Sequence, residues 1–263
     1  MQRFAAAMAV AVLPLAAAAE PTLLGSFHWT YPRDYFGGFS GIEVADNGTD
    51  FMTIGDAGQI VRGSIARTGD RITGVDFENV KSLHTPDGRR VRGIFEFDAE
   101  GLAVAPGGTY YVSFEHDARV WAYDEWLGPA KALPRHPDFD RLIDNQGLEA
   151  LAIGPDGALY AIPEVSPALW EPRHVYRFAG GKWQTFGTLE TSRLFWPVGA
   201  DVGPDGRLYV LERRYAPVLG FSSRIRRFDI GETSLEAPET LLETRLGKHD
   251  NLEGLAVWRD ARG

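Results

Sequence analysis

One phrase recurs along this chain and restricts its fold more than any other feature. Its clearest copy is Leu148-Glu149-Ala150-Leu151-Ala152-Ile153, then Gly154-Pro155-Asp156-Gly157, then Ala158-Leu159-Tyr160-Ala161-Ile162. Pro155 sets φ for the first central position of a turn and Asp156-Gly157 supplies the reversal, so the phrase reads as a β-hairpin entered through a carboxylate. Asp98–Val112 and Val198–Leu211 repeat it, Ser40–Gly48 is a worn copy, and Asn251–Trp258 is a fifth that ends before its hairpin is complete. Copies fall roughly every 50 to 60 residues, the range of propeller blades and solenoid turns.

Each phrase is preceded by an isolated strand, such as Trp183–Leu189 before Val198. Two more strands follow it, such as Leu159–Ile162 then His174–Phe178, or Leu208–Glu212 then Arg224–Phe228. Four short strands per repeat, with no helical period between them, predict an all-β fold, a β-propeller. Counting phrases predicts five blades, or six if a degenerate one occupies residues 57–97, where Pro86-Asp87-Gly88 marks a further turn. Thr22–Trp29 reads as a strand that would complete the last blade and remove its exposed edge. The chain stops at Gly263, just after the innermost strand of the fifth copy, so the reading expects a C-terminal truncation and an incomplete last blade.

Residues 1–19 read as a secretory signal peptide: a cationic Met1-Gln2-Arg3, an apolar run Phe4–Leu15, and Ala17-Ala18-Ala19 as the cleavage site. Residues 20–263 are then a single propeller domain, periplasmic or secreted, and no other segment is apolar enough to span a membrane. The absence of cysteine rules out disulfides in that compartment. With 36 acidic against 27 basic residues, the net charge of −9 argues against nucleic acid as a partner. The expectation is a monomer acting on a small ester or phosphate. A polyanionic substrate would need a local basic cluster or a bound cation to offset that field.

The phrases Phe36-Gly37-Gly38-Phe39-Ser40-Gly41-Ile42-Glu43, Asp98-Ala99-Glu100-Gly101-Leu102-Ala103 and Asn145-Gln146-Gly147-Leu148-Glu149 carry a resemblance. Gly199-Ala200-Asp201 with Leu211-Glu212-Arg213-Arg214, and Asp250-Asn251-Leu252-Glu253-Gly254-Leu255, extend it over nearly all of the mature chain. Together they resemble the bacterial family described as esterase-like activity of phytase. The resemblance implies an exported propeller associated with hydrolysis of phosphate or carboxyl esters; it supplies no established catalytic residue.

The chemistry must therefore come from the residues. Glu100, Glu149 and Glu253 share one register at the mouth of the innermost strands, and Glu43 and Asp201 share another three residues on. Rotational repetition places such acids around a channel mouth, where mutual repulsion favours a bound cation, raised pKa values or Arg partners. An oxygen-only set without Cys suits a hard cation, so Glu43, Glu100, Glu149, Asp201 and Glu253 are candidate Ca²⁺ ligands. The same acids could instead cap backbone N–H groups and hold blades in register.

The ends of the second strands add Asp56, Glu115, Glu164 and Glu212. Glu149, Asp201, Glu212 and His116 are candidate catalytic groups, and Arg119, Arg213, Arg214 and Arg224 candidate oxyanion binders, with plain intrablade salt bridges as the alternative. Ser40 lies in Gly38-Phe39-Ser40-Gly41-Ile42, which lacks the last glycine of a nucleophile elbow. Trp170 and Trp196 stand where loops could line a pocket. The leading expectation is metal-assisted ester hydrolysis at a channel mouth. The rivals are a non-catalytic propeller that binds a ligand or partner, and an inactive fragment.

Overall fold

The computed structural model describes residues 21–33, 36–93, 97–143, 146–168, 171–190 and 194–260. The signal-peptide segment, Asn145 and Trp170 lie outside these residues. The first sheet contains β1 (Phe39–Val44), β2 (Asp50–Gly55), β3 (Gln59–Thr68) and β4 (Arg71–Phe77), with β5 (Lys81–Ser82) also on β3. The second runs β6 (Ala99–Val104), β7 (Tyr110–Phe114), β8 (Arg119–Tyr123), β9 (Lys131–Ala132). The third runs β10 (Leu148–Ile153), β11 (Leu159–Pro163), β12 (Arg173–Ala179), β13 (Lys182–Leu189). The fourth runs β14 (Trp196–Val202), β15 (Leu208–Ala216), β16 (Gly220–Ile230), β17 (Leu235–Glu243). Every ladder is antiparallel and, β3–β5 apart, joins neighbours in sequence, the meander of a propeller blade.

The turns follow their residues. Gly88, Gly157 and Gly206 of the three Pro-Asp-Gly turns sit at φ of +82°, +78° and +75°, where a Cβ would be strained. Asn47 closes its turn by accepting from the Thr49 and Asp50 amides, the Asx-turn role of this residue. Arg89 and Arg90 belong to a hairpin, Arg89 paired with Asp87 and Arg90 bridged to His84, as a solvated basic run should be.

Blades pack face to face through apolar layers. Ile54, Ile60 and Leu83 of the first meet Leu102, Val112 and Phe114 of the second. Ala103 and Val120 meet Leu148, Leu151 and Tyr176 across the next boundary. Ile162, Val175 and Phe186 meet Ala200, Val210 and Phe228 across the last. Each large side chain so buried contributes about 1.5–3 kcal/mol, which makes these layers the main source of stability.

Among the described residues there are four blades, and neither five nor six. Residues 59–82 do not form a further blade, because they supply the outer strands of the first sheet. The fifth copy, Asn251–Trp258, has no ladder partner among the described residues and so builds no sheet. It still occupies the ring. A Cβ on Gly199 would lie 2.4 Å from the Glu253 carbonyl, and one on Gly254 would lie 2.8 Å from Ile42 Cγ2, so the segment is wedged between β14 and β1. Thr22–Trp29 likewise forms no strand, and Leu23 and Leu24 are exposed. Only its end is anchored: Trp29 stacks on Phe39 and meets Phe51 and Phe77 edge-on, covering the outer face of the first blade with Trp258.

The innermost strands touch. A Cβ on Gly101 would stand 2.6 Å from Leu151 Cβ and 2.5 Å from Ser113 Oγ, distances no side chain tolerates. The glycine of the phrase thus lets neighbouring blades meet at the axis, where only a void of about 10 Å³ remains. This waist separates two mouths.

Candidate functional site

Each inner strand carries a register shift at its start: between Phe39 and Gly41, Ala99 and Leu102, Leu148 and Ala150, and Pro197 and Gly199. A bulge inserts an unpaired residue and re-aims its side chain. Glu100 and Glu149 occupy these positions and turn to one mouth of the ring. There they meet Asp98 from the preceding loop and Asp56 and Glu115 from the ends of second strands. Oxygens of Asp56, Asp98 and Glu100 lie within 4.8 Å of one another, and so do those of Glu100, Glu115 and Glu149. Glu100 belongs to both groups.

This concentration of acid shifts the ionisation of its members. Burial, then Asp98 and Asp56, pushes Glu100 well above the ordinary glutamate range. Burial and then Glu100 does the same to Glu149. Glu115 is raised to about 7, chiefly by burial. Asp98 is raised by burial, partly offset by a hydrogen bond with Glu115, and His116 Nε2 stands 3.5 Å from its carboxylate. Among the described residues, none of Asp56, Asp98, Glu100, Glu115 and Glu149 forms a salt bridge with Arg or Lys.

The neighbouring acids are treated differently. Arg213 donates to Glu164 at 2.8 Å and to Glu253 at 2.8 Å, and also to Asn251, so it binds the third blade to the closing segment across the fourth. Burial raises Glu253, with Arg213 opposing. Ser40, fully buried on the first bulge, donates its hydroxyl to Asp56, and no histidine faces it in the way a nucleophile needs.

The sequence-derived candidates thus separate. Glu100, Glu149, Glu253, His116 and Arg213 come together at this mouth, and Asp56, Glu115 and Glu164 join them. Glu43 and Asp201 do not. They line a cavity of about 1070 Å³ at the other mouth, among the hairpin turns at Pro106, Pro155 and Pro204. Glu43 accepts from the Val104 amide and Asp201 from the Val257 amide. Burial raises both, Asp201 to about 7. Its two inner carboxyls already have backbone donors and, among the described residues, join no group of converging oxygens.

Glu212 is also apart. It is completely buried, bidentate with Arg226 at 2.7 Å on both oxygens, and bonded to Arg224 at 2.8 Å. Arg224 lies over the Phe195 ring and Arg119 over Phe114, with Arg119 donating to the His116 and Asp117 carbonyls. These two guanidiniums hold loops and rings together inside their blades. Arg214 follows Arg213 in β15, so strand alternation turns it to the opposite face. His174 sits by Asp138 and Tyr176, and Trp196 is part-exposed on β14. The residues that sequence reasoning passed over are Asp98, quoted within the phrase but not weighed, and Arg173, which opens β12.

The five carboxylates, which form no salt bridge with Arg or Lys among the described residues, fit a hard cation. Ca²⁺ takes oxygens at about 2.3–2.6 Å, so ligands of one ion lie within roughly 5 Å of each other, the spacing of both groups here. Asp56, Asp98 and Glu100 would hold one ion, Glu100, Glu115 and Glu149 another, with Glu100 common to the two.

A family model described as phytase-like, esterase-like activity of phytase, matches residues 34–263. No curated protein matches the sequence. Among solved structures, an auxiliary nutrient binding protein from Bacteroides thetaiotaomicron is 13% identical with a TM-score of 0.46, covering 82% of this chain and 44% of its own. A catalytically inactive virginiamycin B lyase from Staphylococcus aureus, solved with quinupristin, is 14% identical with a TM-score of 0.43, covering 81% and 71%. The PQQ-bound aldose sugar dehydrogenase from Streptomyces coelicolor is 15% identical with a TM-score of 0.40, covering 84% and 85%. Three further matched structures are covered over 55%, 24% and 52% of their own length.

Proposed function

This chain belongs to the phytase-like family, the one described as esterase-like activity of phytase, and from that premise we propose that it hydrolyses phosphate esters with the help of divalent cations at the acid-lined mouth. The observation that carries the reading is the convergence of Asp56, Asp98, Glu100, Glu115 and Glu149 without an Arg or Lys partner among the described residues. Burying like charges this close costs several kcal/mol unless protons or a cation compensate. A ring built only to hold blades in register would show the pairing seen at Glu212.

A bound divalent cation supplies charge neutralisation to a phosphoryl group and polarises its oxygens. The chain's own part is separate. Glu100 and Glu149, fixed on strand bulges, set where oxygens converge. His116, beside the Asp98 carboxylate, is the group positioned to take or give a proton. Arg213 keeps Glu164 and Glu253 in place at the rim.

The signal-peptide character of residues 1–19 supports export to the periplasm or beyond, and the lack of cysteine is compatible with it. Among the described residues no helix is long and apolar enough to cross a membrane. The test is release of p-nitrophenol from p-nitrophenyl phosphate, with acyl esters in parallel. Activity should need Ca²⁺, disappear with EDTA and fall at least a hundredfold in E100Q. Phosphate-ester hydrolysis that survives both EDTA and E100Q would refute the reading.

A further inference from the structure

Three guanidiniums surround one carboxylate where the third and fourth blades meet. Glu212 accepts from Arg224 and Arg226, and Arg173 lies within electrostatic reach of it. The other acid near Arg173, Glu164, is already committed to Arg213. Arg173 is 7% exposed, and its Nε and Nη1 have no hydrogen-bond partner. Arg224 Nη2 is also buried without a partner. Nothing in the fold explains these donors. A guanidinium is always charged, and leaving its N–H groups unsatisfied in the interior costs more than leaving a neutral amide so.

The energetic oddity is local. Arg226 shows the solved case, bidentate on Glu212 and packed over the Phe228 ring. Arg173 shows the unsolved one. Burial, with repulsion from Arg226, lowers it to about 10 against the pull of Glu212 and Glu164, so its surroundings have too little negative charge. An anion is the group that would compensate it. Glu164 joins this cluster to the acid-lined mouth, since the same side chain is bonded to Arg213 and acts on Glu115 and Glu149.

We propose that Arg173 and Arg224 form an oxyanion subsite at the boundary of the third and fourth blades, linked to the carboxylate ring through Glu164, and that its ligand is a phosphate group. The inference rests on the phosphate-ester reading of this mouth and sharpens it: the ring takes cations, and the Arg pair takes the phosphoryl oxygens. Phosphate fits better than carboxylate on two counts. Three guanidiniums on one carboxylate leave room for a dianion. Three unmatched donors on two side chains also suit an acceptor whose oxygens point in more than one plane. Arg173, Arg224 and Arg226 lie at the blade boundary, whereas Arg214 lies on the opposite face of its strand from Arg213.

The test is a calorimetric titration of inorganic phosphate, and separately of acetate, into the full chain treated with EDTA. Phosphate should bind without any metal, acetate should bind at least tenfold more weakly, and phosphate should raise the melting temperature. R173Q should lose phosphate affinity at least tenfold while melting no lower than wild type in phosphate-free buffer, because it removes an uncompensated charge. R214Q should bind phosphate like wild type. If R173Q melts too low to titrate, R173K, which keeps the charge but loses the guanidinium donors, should show the same loss. No phosphate heat with the wild type, equal affinity for acetate, or unchanged affinity in the Arg173 variants would each overturn the proposal. The titration reads neither Ca²⁺ nor hydrolysis, so its failure leaves the carboxylate ring untouched, and failure of the ring's own metal titration leaves this subsite standing.

Discussion

Arg213 and Glu164 meet across the boundary between the third and fourth blades, Nη2 to Oε1 at 2.8 Å, with Glu164 almost wholly buried. The same guanidinium holds Glu253 of the closing segment at 2.8 Å. In a ring whose fifth member has no ladder, side chains do what backbone hydrogen bonds do elsewhere. R213M would strand a buried carboxylate, and allowing for the part-exposure of the pair it should destabilise the fold by about 2–4 kcal/mol. The double variant R213M/E164Q should recover more than half of that loss in chemical denaturation. Additive losses would show that the pair does not couple.

The axis predicts its own sensitivity. G101A places a methyl 2.5 Å from Ser113 Oγ and 2.6 Å from Leu151 Cβ, and one of the two blades must shift. The expected loss is about 3 kcal/mol or more, at the upper end for overpacking. G107A, in the adjoining turn with nothing within 4 Å of its added carbon, should change stability by less than about 0.5 kcal/mol. Similar midpoints for the two variants would contradict the close approach of inner strands.

Asp201 offers a pH signature away from the proposed metal site. Burial raises its folded-state value to about 7, against an unfolded value near 4. The unfolded chain therefore ionises first. Its contribution to stability is intact below pH ~4, declines as pH rises to about 7, and is constant above. D201N should melt higher than wild type at pH 8, with the difference vanishing near pH 4. A gap that grows on acidification would reverse the sign and contradict the assignment.

The fold was legible where local chemistry repeats: Pro-Asp-Gly turns and small apolar inner strands announce blades wherever they occur. The blade count was not, because Asn251–Trp258 carries the inner phrase and takes the inner place, while a blade also needs partners that the phrase cannot reveal. The site was half legible. Glu100, Glu149 and Glu253 share a register, and that register became a mouth. Glu43 and Asp201, only three residues on, lie about 10 Å further along their strands, enough to reach the opposite mouth. Asp56, Glu115 and Glu164 read as a second ring, and the bulges fold that ring into the first. Arg173 gave no pattern at all, since what marks it is the absence of a partner.

Glu43 and Asp201 also separate the mouths experimentally. E43Q and D201N should leave Ca²⁺ affinity within twofold of wild type, because neither side chain belongs to a group of converging oxygens. A tenfold loss in either would place the cation at the wrong end of the channel.

The most direct measurement is calorimetric titration of Ca²⁺ into EDTA-treated wild type, E100Q and E149Q. Saturable binding should appear in the wild type, weaken at least tenfold in E149Q, and vanish in E100Q, whose carboxylate serves both groups of oxygens. A wild type that takes up no Ca²⁺, or an E100Q that binds it equally well, would contradict the account.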